Sequence, residues 1–195
     1  MQGTNKNREK FERLALMGLL TALVAVLSYY GGFIKIGGLA SISLTLIPVV
    51  LGAAYLGPWA GAWLGAVSGA VFFLTPDAAF WCGMSLSGTI VTVMVKGIAA
   101  GLLAGLVYRL LKKVNRYFAV VVSAIVCPVV NTGIFILGCL TFFLDYLKEG
   151  SVGEGMSIAA YLIFFFVGLN FVFELLANII VSPALLRVLN IRKEK

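Results

Sequence analysis

The chain alternates long apolar stretches with short polar clusters, and this pattern predicts a bundle of membrane-spanning helices. Six of the stretches are long enough to cross a bilayer, which takes about 20 helical residues. Each stretch should be helical, because hydrocarbon offers no partner to an unpaired backbone group. The predicted spans are Leu14–Tyr30, Leu39–Leu56, Trp59–Leu74, Ser87–Leu111, Phe118–Leu144 and Ser157–Leu186.

Composition supports this interpretation and fixes the domain count. Of the 195 residues, 61% are hydrophobic and 12% are charged, which is more apolar surface than a soluble core of this size absorbs. Six spans with short loops use nearly the whole length. We therefore predict an all-α integral membrane protein, with residues 1–195 forming one compact six-helix domain.

Basic residues mark one face of the predicted bundle. Twelve of the fifteen Lys and Arg residues fall in three clusters, which lie on the same side if there are six spans. Because cytoplasmic segments carry the excess of Lys and Arg, both termini are predicted to be cytoplasmic. This topology explains the net charge of +7 without nucleic acid as a partner. The clusters are Lys6, Arg8, Lys10 and Arg13; Arg109, Lys112, Lys113 and Arg116; and Arg187, Arg192, Lys193 and Lys195.

Three polar residues lie at nearly the same predicted depth. Counted from the basic residue at the cytoplasmic end of each span, Lys96 and Glu174 are 13 positions deep and Asn131 is 15 positions deep. At about 1.5 Å of rise per residue, this is roughly 20 Å. Ionisable groups at such depth are costly and usually face the bundle interior, where they indicate a substrate or ion site.

The last span carries the densest group of polar residues. Asn170, Glu174 and Asn178 follow one another at steps of four, so they share a helix face that must look inward. Their carboxylate and amides can donate and accept hydrogen bonds, and Lys96 and Asn131 can meet them across a cavity. An alternative is that Lys96 and Glu174 only pair with each other, although desolvation offsets most of the stability from a buried ion pair.

Small residues form a stripe on the first span. Ala15, Gly18, Ala22 and Ala25 recur at spacings of three and four, which predicts a surface that another helix can approach closely. Glycines repeat at steps of four in the third span (Gly61, Gly65, Gly69) and in the fourth (Gly97, Gly101, Gly105). We expect these two glycine faces to pack against neighbours within the bundle.

Aromatic residues gather near the predicted outer ends of the helices, among them Tyr30 and Trp81. They are candidates for ligand contact, and anchoring at the membrane interface is the alternative. The loop from Gly31 to Gly38 holds four glycines, apolar side chains and Lys35, so it is flexible enough to open over a pocket and apolar enough to close.

Several kinds of chemistry have no residues to support them. The chain has no histidine, and Cys82, Cys127 and Cys139 lack metal-ligand spacing, so no metal site and no cofactor are predicted. Paired acids or broken helices in two related halves, which an autonomous transporter or channel would show, are not evident. A membrane enzyme acting on lipids would need a histidine or an acid cluster near the interface. We predict a binding protein and not an enzyme.

The order of these motifs resembles the substrate-binding S components of energy-coupling factor (ECF) transporters, and the resemblance covers nearly the whole chain. It rests on the six-span length and on the small-residue stripe of the first span. The other segments that carry it are Ile47-Pro48 to Gly57-Pro58, Lys96-Gly97 with Gly101 and Gly105, Asn131-Thr132-Gly133, and Glu174 to Asn178 followed by Ser182-Pro183.

The resemblance implies a division of labour. The S component would capture a vitamin from outside the cell, while a transmembrane scaffold subunit and two ATPase subunits supply the energy. The small-residue stripe would dock to the scaffold, the loop after the first span would be the lid, and the last three spans would form the pocket. The absence of a phosphate-binding loop motif fits a subunit that hydrolyses no ATP.

The identity of the vitamin stays open. Lys96 would complement a carboxylate while the Asn and Glu face binds hydroxyls or amides, so we favour pantothenate. Riboflavin or pyridoxine would suit the aromatic residues with Asn131 and Glu174, and folate is a further alternative. The predicted substrate-binding residues are Lys96, Asn131, Glu174, Asn170, Asn178, Tyr30 and Trp81.

Overall fold

The computed structural model describes residues 2–31 and 44–191, and this part of the chain is all-helical. Within it there are nine α-helices, one π-helical turn and no β-strand. Most of the predicted lid, including Lys35, lies outside the described residues. The helices are α1 (Gln2–Gly31), α2 (Leu46–Leu56), α3 (Pro58–Phe72), α4 (Pro76–Met84), α5 (Leu86–Leu111), α6 (Arg116–Phe142), α7 (Leu144–Gly153), α8 (Ile158–Leu162) and α9 (Gly168–Ile191), with the π-helical turn at Ile163–Val167.

Three of the described helices are long and apolar enough to cross a membrane on their own. They contain the segments Asn7–Gly31, Leu86–Leu111 and Arg116–Phe142, which correspond to the first, fourth and fifth predicted spans. Up to five spans result if each of two bent helix pairs counts as one. The structure therefore agrees with a helical membrane protein, while the number of six spans and the orientation of the termini stay predictions.

The bent pairs are where the structure differs most from the predicted straight helices. The axes of α3 and α4 meet at 84° across a break between Phe72 and Pro76. The axis of α7 meets that of α8 and the π-helical turn at 97°. Proline at the start of α4 explains the first bend, because it fits the first turn of a helix but cannot continue a preceding one. Both bends bring short helices close to the ends of α5 and α6.

Glycine allows α3 and α5 to pack backbone against backbone. A β-carbon added at Gly61 would collide with the backbone of Gly101, and one added at Gly65 would collide with Gly97. This contact confirms the predicted packing of the two glycine faces within the bundle. The turn before α3 depends on two residues: Gly57 has a φ of 113°, which favours glycine, and Pro58 opens the next helix.

Two apolar clusters make up most of the interior. One joins α1, α2, α3, α5 and α6 through small and aliphatic side chains such as Val24, Val50, Leu64 and Ala100. The other is aromatic and lies where α4, α7, α8 and the π-helical turn meet. The polar residues of the candidate site lie between these clusters, so the packing on both sides fixes their positions.

Candidate functional site

A cavity of about 100 Å³ lies among α4, α5, α6, the π-helical turn and α9. This volume is several times the ~10–15 Å³ that the smallest water-holding cavity requires, so there is space for more than a single solvent molecule. Polar and charged side chains line one part of the cavity and aromatic rings line another. Its walls comprise Phe72, Asp77, Trp81, Thr89, Thr92, Val93, Lys96, Asn131, Thr132, Phe135, Phe143, Phe166, Val167, Asn170, Phe171 and Glu174.

Helix α5 supplies one wall through the periodicity of its sequence. Thr89, Thr92, Val93 and Lys96 are spaced by three, four and seven positions, so they lie on one face of the helix. Thr89 also positions the neighbouring element, because its hydroxyl lies 2.8 Å from the carbonyl oxygen of Trp81 and donates to it. This face of α5 therefore forms the polar wall of the cavity and, through Thr89, contacts the backbone of Trp81.

The structure brings together the three residues that were predicted to share one depth. Lys96 from α5, Asn131 from α6 and Glu174 from α9 all line the cavity. The Lys96 ammonium lies 5.1 Å from the centroid of the Phe135 ring, within the range of a cation–π contact. It is also attracted by the carboxylates of Glu174 and Asp77. The ammonium thus faces both an aromatic ring and negative charge.

Asp77 is a cavity residue that the sequence interpretation missed. The 84° bend after α3 places Asp77 in the first turn of α4, where it is only 6% exposed. A carboxylate in the first helical turn is stabilised by the helix dipole, which helps to offset burial. The available signal was the sequence Thr75-Pro76-Asp77, which is typical of a helix start.

The aromatic wall is centred on Trp81, which was predicted as a ligand contact. Its ring centroid lies 5.4 Å from that of Phe135, 5.2 Å from that of Phe143 and 5.4 Å from that of Phe166. The π-helical turn places Phe166 and Val167 in the cavity wall, and such turns often occur at functional sites. These rings present a rigid apolar surface to a ligand.

Thr92 carries a polar atom that the described part of the protein leaves unsatisfied. Its side chain is 4% exposed, and Oγ1 has no hydrogen-bond partner among the described residues. A buried hydroxyl without a partner costs about 1–3 kcal/mol, so such groups are normally satisfied by protein, water or ligand. Thr92 Oγ1 lies against Gly138 of α6, where an added β-carbon would collide with it, so this hydroxyl faces the contact between α5 and α6.

Two of the predicted substrate-binding residues lie outside the cavity lining. Tyr30 is 63% exposed at the end of α1 and stacks edge to face on Tyr29. Asn178 is fully buried one turn beyond Glu174, and its amide donates a 2.8 Å hydrogen bond to the Glu174 carbonyl oxygen. Its amide oxygen Oδ1 is buried without a hydrogen-bond partner among the described residues, so the role of Asn178 in binding stays a prediction. Asn170 and Trp81 do line the cavity.

The predicted docking stripe lies on an open face of α1. Ala15, Gly18 and Ala22 are exposed and Ala25 is partly buried, whereas Leu20 and Val24 on the other face enter the core. A β-carbon added at Gly18 would meet no atom within 4 Å. The stripe is therefore not used for packing within the described part of the chain.

Comparison with known proteins identifies the family. No curated protein and no solved structure matches the chain. A family described as "ECF transporter, substrate-specific component" matches residues 12–186, which include every element that lines the cavity and the whole docking stripe. This chain belongs to the family of ECF transporter substrate-specific components.

Proposed function

We propose that this protein captures a small water-soluble vitamin from outside the cell membrane and delivers it to a separate energy-coupling module for ATP-driven uptake. The observation that carries the proposal is the cavity itself, in which Lys96, Asn131 and Glu174 from three helices face an aromatic wall around Trp81. Few precisely placed polar groups in a mostly apolar pocket are typical of small-molecule sites.

Pantothenate is the vitamin that we favour. Lys96 supplies a cation for its carboxylate, and Asn131, Thr132 and Asn170 offer donors and acceptors for its amide and hydroxyls. Both faces of this chemistry meet in one cavity, and Lys96 is held there by the packing of α5 against α6. The affinity would come from hydrogen bonds made away from water, where they count most.

A ring-bearing vitamin such as riboflavin or pyridoxine is the second candidate. The observation in its favour is the aromatic wall around Trp81, whose rings can stack on a flat heterocycle. Two carboxylates and one ammonium in the lining also suit a ligand with several hydrogen-bond donors.

The docking stripe supports the proposed partnership with a scaffold subunit. Small side chains let another helix approach closely, and this stripe is open while the opposite face of α1 is packed. The two ATPase subunits follow from the family, since the chain itself has no phosphate-binding loop motif. Both termini would be cytoplasmic, with the cavity loaded from the outer side.

Native mass spectrometry of the purified protein, followed by extraction and identification of bound small molecules, tests the proposal. We expect a vitamin at one molecule per chain, because a tight binder retains its ligand through purification. The ligand-free protein should then gain thermal stability from that same vitamin in a panel of pantothenate, riboflavin, pyridoxine and folate. A protein that purifies empty and responds to no vitamin would contradict the proposal and favour an autonomous transporter or channel.

A further inference from the structure

A second cavity adjoins the first and shares part of its wall. It has a volume of about 120 Å³ and lies among α1, α2, α3 and α5. Five residues line both cavities, and they include the three polar residues predicted to share one depth. Lys96, Asn131 and Glu174 therefore lie at the boundary between the two cavities. The shared residues are Phe72, Val93, Lys96, Asn131 and Glu174.

The second cavity has a different chemistry from the first. Three hydroxyls from different elements meet in its wall: Ser28 of α1, Thr45 before α2 and Ser68 of α3. Ser28 Oγ lies 3.0 Å from Ser68 Oγ and 3.3 Å from Thr45 Oγ1. Apart from the shared residues, the described lining carries neither a charge nor an aromatic ring. The described part of this wall is therefore polar but neutral.

The hydroxyl cluster keeps unused hydrogen-bonding capacity. Three hydroxyls hold three protons and about six lone pairs, and two bonds within the cluster use at most two protons and two lone pairs. At least one donor and several acceptor positions are then available to another group. A neutral cluster that can both donate and accept matches hydroxyl or amide groups better than it matches an ion.

Three glycines of α3 and α5 in the lining leave the volume of the second cavity unfilled. Gly65 and Gly69 of α3 and Gly97 of α5 line it, so backbone stands where side chains would otherwise fill the volume. The same residues bring α3 and α5 into backbone contact, which fixes the distance between the hydroxyl cluster and Lys96. The second cavity thus lies beside the α3–α5 contact and shares Lys96 with the first cavity.

We propose that the two cavities are compartments of one ligand chamber, and that the ligand is a two-part molecule. An apolar or aromatic body would occupy the compartment around Trp81. A neutral arm with hydroxyl or amide groups would pass Lys96 and Glu174 and reach Ser28, Thr45 and Ser68. The inference rests on the proposed function, and it narrows the ligand class. Pyridoxine lacks such an arm, and the chains of folate and pantothenate end in carboxylates. Riboflavin, the second candidate above, has both a flat heterocycle and a neutral polyhydroxyl arm.

Filling the second compartment tests this proposal. Ser68→Leu places an aliphatic side chain in the second cavity, while Ala70→Leu adds the same side chain to an exposed position of α3 two residues away. Isothermal titration with pantothenate, riboflavin, pyridoxine and folate gives the affinity of each variant. We expect Ser68→Leu to weaken binding of the recognised vitamin more than tenfold, and Ala70→Leu to change it less than twofold.

Thr45→Val provides a second variant in case Ser68→Leu does not fold. It removes one hydroxyl of the cluster at nearly constant volume, and we expect a three- to tenfold loss of affinity with an unchanged stoichiometry. Thermal unfolding of the ligand-free proteins separates this loss from a general weakening of the fold.

The outcomes distinguish the two proposals. If the wild type binds a vitamin and both Ser68→Leu and Thr45→Val bind it equally well, the second compartment has no part in recognition while the proposed function stands. Tight binding of pyridoxine that neither substitution weakens would also show that the second compartment has no part in recognition. A wild type that binds no vitamin would overturn the proposed function and the two-compartment chamber together.

Discussion

At the scale of single residues, the cavity holds its charge on three side chains from three helices. Lys96 comes from α5, Asp77 from α4 and Glu174 from α9. The two carboxylates are buried, and both attract the Lys96 ammonium. Charges in such surroundings are screened little by solvent, so removing one of them changes the field on the others. A ligand that contacts one of these three groups is therefore also exposed to the electrostatic field of the other two.

Replacing Lys96 or Glu174 should damage binding more than stability. We expect Lys96→Ala and Glu174→Ala each to weaken vitamin binding at least tenfold, or about 1.4 kcal/mol, because each removes a group that meets the ligand. Membrane insertion and the monodisperse elution of the protein should persist. The control is Lys148→Ala, which removes an exposed lysine outside the cavity. Wild-type affinity in Lys96→Ala would show that Lys96 pairs only within the protein.

Asp77 permits a sharply matched test, because Asp145 occupies the same position in another helix. Both lie in the first turn, of α4 and α7 respectively, but Asp77 is 6% exposed whereas the side chain of Asp145 is 97% exposed. We expect Asp77→Asn to lower vitamin affinity three- to thirtyfold and Asp145→Asn to leave it unchanged, as measured by titration. Equal effects of the two substitutions on affinity would show that Asp77 is not part of the binding site.

Part of the cavity lining could be predicted from the sequence, and the rest could not. Depth in the membrane can be counted along a helix, so Lys96, Asn131 and Glu174 could be assigned to one level from sequence. Asp77 could not, because its position depends on a bend whose direction is decided by packing. Asn178 was included because a four-residue step places it on the right face, yet the same step suits a bond to its own backbone.

At the scale of elements, glycine spacing specifies how α3 and α5 meet. A helix with glycine at every fourth position presents a groove of bare backbone, and two such grooves fit together. The pairs Gly61–Gly101 and Gly65–Gly97 are the result. This packing was predictable from sequence because the spacing itself carries the information. The bends at α4 and α8 were not, since hydropathy reports the apolar length of a segment and not its direction.

Adding one methyl group in this seam should destabilise the protein. In Gly65→Ala, the new β-carbon would collide with the carbonyl of Gly97, so we expect a loss of about 1–3 kcal/mol in unfolding free energy. Gly133→Ala in α6 is the control, because its β-carbon meets nothing within 4 Å and should be neutral or stabilising by about 0.5–1 kcal/mol. Thermal unfolding in detergent measures both. Equal stability of the two variants would contradict the described seam.

At the scale of the whole molecule, the proposed binding site and the proposed docking surface lie on different parts of the protein. The cavity lies among α4, α5, α6 and α9, while the small-residue stripe is on the open face of α1. The split follows from the packing of α1, whose Leu20 and Val24 are buried while Gly18 is exposed. Sequence predicted the stripe but not which way it faces, because its neighbours are apolar all around the helix and the direction depends on tertiary packing.

Bulky residues on the stripe should separate uptake from binding. We expect Gly18→Leu and Ala22→Leu to abolish ATP-driven vitamin uptake in cells that contain the complete transporter, because the scaffold helix could no longer approach. Vitamin affinity of the isolated protein should stay within twofold of the wild type, since nothing packs on Gly18. Ala70→Leu, an exposed position on α3, controls for added bulk. Normal uptake by both stripe variants would show that the scaffold subunit docks to another surface of the protein.

The backbone contact between α3 and α5 also limits how the protein can move. Rotation of either helix about its axis would bring larger side chains against its partner, where even a β-carbon added at Gly65 or Gly97 would collide with backbone. Lys96 travels with α5, so the boundary between the two cavities should keep its place whether a ligand is present or not. Entry of a ligand would then depend on movement outside this frame, at the predicted lid after α1 or at α4 and the π-helical turn. Empty and loaded protein should differ there and share an unchanged α3–α5 frame.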